Sequence, residues 1–201
     1  MDLIVLATKN EGKVRELAVL LHRVAGRVES LRAYPGVSLP PETGSSHREN
    51  ALAKARAVHR ALGVPSLGDD SGLEVDALAG APGLHSARYA GEGASDLANI
   101  ERLLGELAGV PPERRTARFR CVLALVRGRE DETTAEDETV AEGVCEGRIV
   151  DTPRGEDGFG YDPIFIPDGH LMTFAELPST EKNALSHRAR AAASLRRALR
   201  G

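Results

Sequence analysis

The chain has 201 residues, a formal net charge of −4, 28% charged and only 3% aromatic residues. That length suits one ordinary domain with a substantial core, and no apolar stretch approaches the length needed to span a bilayer. Net acidity with so few aromatics argues against a surface that wraps polynucleotide, and leaves room for a small anionic substrate in a local basic pocket.

Leu3 to Ala7 reads as a buried strand, and Val14, Leu17, Leu20, Leu21 and Val24 recur at helical spacing, so the chain opens as strand, loop, helix. The apolar run is too short for a signal peptide and follows Asp2, so a cytoplasmic location is expected. Arg27 to Leu31 suits a second strand, and Tyr34 to Gly44, with three prolines and two glycines, suits an irregular connection. Glu49 to Leu62 reads as an alanine-rich helix stopped by Gly63. Asp69 to Val75 is a strand and turn, followed by a glycine-rich loop from Ala79 to Gly93. A helix from Ser95, its N-cap, to Leu107 precedes two β-rich segments, Thr116 to Arg127 and Thr133 to Val150, that can pair as a hairpin across the polar RGRED stretch. A second glycine-rich loop (Gly155 to Gly160), a short strand (Pro163 to Ile166) and a C-terminal helical stretch complete the chain. Strands and helices are interspersed, which indicates a single α/β domain over residues 1–201 around a mixed sheet. Cys121 and Cys145 fall in strand-like segments without C-x-x-C spacing and read as reduced core thiols.

Five polar constellations can carry chemistry. Thr8-Lys9-Asn10-Glu11-Gly12-Lys13 lies at a strand-to-helix turn, where unpaired N–H groups can cradle phosphate oxygens and Lys13 can add a point charge; the alternative is a polar loop with an exposed lysine. Gly68-Asp69-Asp70-Ser71-Gly72 places two carboxylates on opposite sides of a strand unless the glycines let the backbone bend, so one aspartate can hold Mg²⁺ or accept a proton from water; the alternative is a surface turn. Glu42, in an irregular loop ahead of the helix carrying Lys54, can complete a metal site with Asp70 or be a solvated glutamate. Phe159-Gly160-Tyr161-Asp162 can stack on a planar base, or its rings can plug the core. In Lys182 to Arg188, one continuous helix would set Lys182 about 140° from His187 and about 240° from Arg188, whereas a break at Ser186 lets all three serve one ligand. Only four of the 26 basic residues are lysines, Lys9, Lys13, Lys54 and Lys182, and all lie in these segments. A compact ammonium beside phosphate would explain that bias.

Taken in order, Leu6 to Lys13, Glu42-Thr43-Gly44, Glu49-Asn50-Ala51, Asp69 to Leu73, Gly80 to Gly83, Ser86 to Tyr89, Phe159 to Pro163, Lys182 and Ser186-His187-Arg188 resemble the inosine triphosphate pyrophosphatase family, also called Ham1-like. The resemblance implies an elongated α/β fold with a long mixed sheet flanked by helices, and two lobes with a substrate cleft between them. It implies Mg²⁺-dependent hydrolysis of ITP, dITP and XTP to the monophosphate and pyrophosphate by a homodimer, while composition and hydropathy lead to the expectation of no polynucleotide or membrane partner. Carried onto this chain, Thr8, Lys9, Asn10, Glu11, Gly12 and Lys13 bind the triphosphate, and Asp70 is general base and metal ligand with Glu42 as second ligand. Lys54, Ser71 and Lys182 contact substrate, Phe159, Gly160, Tyr161 and Asp162 hold the base, and His187 and Arg188 read its edge. Lys9 stands where many relatives carry glycine. Two rival functions fit the phosphate site alone: a pyrimidine nucleotide pyrophosphatase, and a nucleotide-sensing module without turnover.

Overall fold

Unbroken apolar runs make the central strands. Ile4, Val5, Leu6 and Ala7 are all buried, and so are the six residues from Cys121 to Val126, as expected of strands covered on both faces. The computed structural model describes residues 1–128 and 137–200. Its strands β1 (Leu3–Leu6), β2 (Arg27–Ser30), β3 (Ser66–Val75), β4 (Thr116–Arg127), β5 (Asp137–Ile149) and β6 (Phe165–Pro167) form one mixed sheet in the order β2-β1-β3-β4-β5-β6. β1 is parallel to β2 and β3, while β5 and β6 are antiparallel. The helices are α1 (Glu11–Leu20), α2 (His47–Leu62), α3 (Asp96–Glu106), α4 (Ser179–Leu185) and α5 (His187–Ala198).

Contacts gather the chain into two compact units. The first holds Met1–Asp70, the described part of Cys121–Gly143, and the chain from Arg188 onward. Its strands alternate side chains between two helical layers. Ile4, Leu6, Leu67, Cys121, Leu123 and Leu125 pack on Leu17 of α1, on Leu21 just beyond its end, and on Ala191, Ala192 and Leu195 of α5. Val122, Ala124 and Val126 pack on Ala51, Leu52 and Ala55 of α2, and Val5 and Ala7 pack on its Val58. Each such buried leucine or valine contributes about 1.5–3 kcal/mol. Ser46 caps α2 by accepting from Glu49 N at 3.2 Å, the Glu49 carboxylate reaches back to Ser45 N at 2.8 Å, and Gly63 ends the helix at φ +66°.

The second unit holds Ser71–Arg120 and Val144–His187. Here one sheet face is apolar: Leu73, Val75, Ala117, Phe119, Cys145, Ile149 and Phe165 pack with Ile100 and Leu103 of α3 and with Phe174. The alternate positions are charged, with Arg120 on Glu74 at 2.8 Å and Arg118 on Glu146 and Asp76 at 3.0 Å each.

Most expected elements are present, including the chain break at Ser186 between α4 and α5. Two expectations change. Asp69 to Val75 is no strand-and-turn but part of one unbroken ten-residue strand. The last strand begins at Phe165, because Asp162–Ile164 forms a 3-10 turn with Pro163 within it. The RGRED turn runs from residue 129 onward outside the described residues, as does the start of the Thr133 to Val150 segment.

Candidate active site

The β1–α1 turn is built by its own polar residues. Thr8 Oγ1 accepts from Asn10 N at 3.1 Å, and Asn10 Oδ1 caps α1 by accepting from Lys13 N at 3.0 Å. Among the described residues, the N–H groups of Glu11 and Gly12 at the helix start have no such partner, so they are the donors through which this turn can meet an anion. The Glu11 carboxylate pairs with Arg32 at 2.6 Å. Lys9 is exposed, and no carboxylate lies within ion-pair reach among the described residues.

Strand alternation sends Asp69 and Asp70 to opposite faces, as a regular β3 requires. Asp69 turns to the α1 and α5 layer. There it accepts from Lys13 Nζ at 2.5 Å and from Arg188 Nε at 2.7 Å, and Arg188 Nη1 also donates to Glu16. Asp69 and Arg188 are each 1% exposed. Burial opposes ionisation of Asp69, but Arg188 and Lys13 hold its carboxyl well below the usual carboxylate range. Burial and the Asp69 charge push the neighbouring Cys121 thiol well up, so it stays protonated as a core thiol. Lys13, expected as a mobile charge, is therefore anchored. Arg188, expected at a base edge, has Nε and Nη1 engaged by carboxylates.

Asp70 turns to α2, whose His47, Asn50 and Lys54 form one stripe at spacings of three and four. His47 Nδ1 lies 2.6 Å and Asn50 Nδ2 3.4 Å from Asp70 Oδ2, while Lys54 Nζ donates to Asp70 Oδ1 at 2.8 Å and to Glu42 Oε1 at 2.7 Å. Burial again opposes ionisation, and the His47 hydrogen bond and the Lys54 charge prevail, so Asp70 is held below its ordinary value. Burial disfavours the Lys54 ammonium as well, yet Asp70 and Glu42 keep its pKa above the ordinary lysine value. The close approach of α2 to β3 depends on Gly68, where a Cβ would lie 2.0 Å from the carbonyl oxygen of Ala51.

The second unit holds the remaining residues. Asp162 is buried and accepts from Phe159 N at 2.9 Å and from Lys182 Nζ at 2.5 Å. The Lys182 ammonium also sits 5.1 Å from the centre of the Phe159 ring. Phe159 is half-buried, whereas Tyr161 belongs to the core and donates its hydroxyl to the Ser86 carbonyl at 2.9 Å. Of the two rings expected to hold a base, Tyr161 is thus a core plug. Gly160 N donates to Asp96 Oδ2 at 2.7 Å. His187 is buried and stacks on Phe119 with ring centres 4.7 Å apart. Ser71 is half-buried on β3.

The sequence model of the Ham1 family matches residues 4–198. The chain belongs to the Ham1 family. It is 52% identical to the dITP/XTP pyrophosphatase of Geobacillus kaustophilus over 97% of this chain and 93% of that protein, and 51% identical to that of Methylococcus capsulatus over 98% and 96%. The solved structure of a HAM1 protein from Coxiella burnetii superposes with a TM-score of 0.84 at 42% identity, covering 100% of this chain and 99% of the other.

No group of three or more His, Cys, Asp or Glu side chains converges as a metal cage among the described residues of this Ham1 chain. What converges is a pair of hard oxygens, Glu42 Oε1 and Asp70 Oδ1, around one cation, the Lys54 ammonium. That donor set fits Mg²⁺, which takes one or two carboxylates and completes its shell with water and phosphate oxygens. Sequence reasoning missed His47 and Glu16 altogether. The helix expected from Glu49 begins at His47 instead, and the signal that could have found it is Ser46, an N-cap residue directly ahead of a His47, Asn50, Lys54 stripe at helical spacing.

Proposed function

We propose that this chain hydrolyses the deaminated purine nucleotides ITP, dITP and XTP to the nucleoside monophosphate and pyrophosphate with Mg²⁺. The observation that carries the reading is the Lys54 ammonium held jointly by Glu42 and Asp70, in a chain whose relatives across nearly its whole length are named dITP/XTP pyrophosphatases. A protein that only binds a triphosphate gains nothing from a convergent carboxylate pair, which repels phosphate unless a cation intervenes.

In this mechanism water attacks the α-phosphorus, the P–O bond to the β-phosphate breaks, and pyrophosphate leaves. The proton of the water passes to the Asp70 carboxylate, whose ionisation burial opposes but the His47 hydrogen bond and the Lys54 charge maintain. Glu42 and Asp70 would hold Mg²⁺, which would supply Lewis-acid polarisation and neutralise charge on the leaving group. The N–H groups of Glu11 and Gly12, with Lys13, Lys54 and Ser71, bind phosphate oxygens, and Thr8 and Asn10 shape that turn; Lys9 adds a further exposed charge.

Phe159 offers the stacking surface for the base, with Gly160 permitting close approach and Asp162 fixing Lys182 beside the ring. Deaminated purines present an O6 acceptor and an N1–H donor. A donor on O6 from His187 or Arg188, with a carbonyl on N1–H, leaves adenine mispaired at both positions. The reading includes a homodimer, as the family resemblance implies, and a cytoplasmic location.

Release of pyrophosphate and orthophosphate from ITP, XTP, dITP, dUTP, GTP and ATP, with Mg²⁺ and with EDTA, tests it. Mg²⁺-dependent pyrophosphate from the deaminated purines alone is expected. Orthophosphate, pyrimidine turnover, or binding of ITP without turnover would reject it.

A further inference from the structure

The two oxygens of Asp70 have separate partners. Oδ1 shares the Lys54 ammonium with Glu42, whereas Oδ2 is held by His47 Nδ1 at 2.6 Å and more loosely by Asn50 Nδ2 at 3.4 Å. His47 and Asp70 are both buried, with 8% and 5% exposure. With the Lys54 ammonium on its other oxygen, Asp70 is a carboxylate and can only accept, so the imidazole donates through Nδ1–H. A carboxylate held at one oxygen by a ring that α2 itself fixes cannot turn about its terminal bond. Its other oxygen is thereby kept aimed at the position it shares with Glu42.

We propose that His47 is a positioning residue: its Nδ1–H pins Asp70 Oδ2, so that Oδ1 and Glu42 Oε1 stay convergent on a single divalent cation. The inference rests on the metal-dependent reading above and deepens it. His47 touches neither the cation nor the reacting phosphorus and acts through Asp70 alone. Lys54 cannot replace it, because the ammonium engages the opposite oxygen. Asn50 cannot replace it either, since at 3.4 Å it is at the outer limit of a hydrogen bond.

The test compares His47→Phe, which keeps a flat ring and removes the donor, with His47→Asn, whose amide nitrogen occupies nearly the place of Nδ1. Mn²⁺ affinity is read by electron paramagnetic resonance on the protein without nucleotide, and kcat and KM are read on dITP at saturating Mg²⁺. His47→Phe should weaken Mn²⁺ binding about 10-fold and lower kcat about 10- to 100-fold with KM changed less than about 3-fold. His47→Asn should recover both Mn²⁺ affinity and kcat to within about 3-fold of the native protein.

Native Mn²⁺ affinity and kcat in a folded His47→Phe would overturn the proposal. Equal losses in both variants would also overturn it, because packing rather than the donor would then be responsible. Asp70→Asn serves as the control for the underlying reading: measured at a temperature where it is folded, it should lose both Mn²⁺ binding and turnover. If instead Asp70→Asn binds Mn²⁺ like the native protein while native turnover of dITP is intact, the assigned metal site falls and the role of His47 falls with it, but the activity stands.

Discussion

Arg188 Nε donates to Asp69 Oδ2 at 2.7 Å, and the same guanidinium donates through Nη1 to Glu16, with Asp69 and Arg188 both removed from water. The α5 helix is thereby tied to β3 and to α1 by one side chain. Removing one partner of a buried pair strands the other charge in a low-dielectric site. Arg188→Met should therefore destabilise the protein by about 3–5 kcal/mol, read as a lowered urea midpoint. This stability cost is larger than a role in base reading alone would give. If the midpoint is unchanged and only the ratio of kcat/KM for ITP and ATP falls, the pair with Asp69 is dispensable to the fold.

Acid should reach this region through Asp69. Its folded pKa is depressed below the ordinary 3.8, so its contribution is fully present above that value and is lost as pH falls through the folded value. The stability difference between the native protein and Asp69→Asn should be greatest near pH 7 and should shrink between about pH 5 and pH 2. Urea unfolding at a series of pH values measures it. A difference that stays constant or grows on acidification would contradict the assignment.

Gly68→Ala tests how closely α2 must approach β3. The added Cβ would meet the Ala51 carbonyl oxygen at 2.0 Å, and a helix backbone cannot yield as a side-chain tip can. A loss of about 1–3 kcal/mol is expected, together with a fall in kcat of at least 10-fold at temperatures where the variant is folded, because His47 and Lys54 move with α2. Native kcat would show that the grip on Asp70 tolerates displacement of the helix.

Phe159 and Tyr161 should separate cleanly. Phe159→Leu should raise KM for dITP several-fold, in line with the roughly 1–3 kcal/mol of a base–aromatic stack, with little change in the unfolding midpoint. Tyr161→Phe removes the donor to the Ser86 carbonyl and should cost about 0.5–1.5 kcal/mol of stability, with KM unchanged. Reversed outcomes would mean that the core ring and the ligand ring have been exchanged.

Much of the architecture was legible along the chain because it is local. The apolar runs of β1 and β4, the Ser95 cap and the Gly63 stop are each determined by residues a few positions apart, whereas the start of α2 at His47 lies two residues ahead of the expected Glu49. The segments of the candidate site could likewise be picked out by composition, since glycines, lone lysines and paired aspartates cluster within them. Their partners could not. His47 is 23 residues from Asp70, and Arg188 is 119 from Asp69, and no periodicity links such positions. Period-two alternation required Asp69 and Asp70 to part on a regular strand, but which helix each would meet depends on which layer covers which face of the sheet. Whether Tyr161 or Phe159 stays accessible depends in the same way on what packs above the loop. The sequence by itself determined the elements, their ends and the polar segments. Only the tertiary structure decided that Lys13 is anchored, that Arg188 bonds carboxylates, and that Asp70 is held by a histidine, because each depends on burial, and burial is a property of the assembled layers.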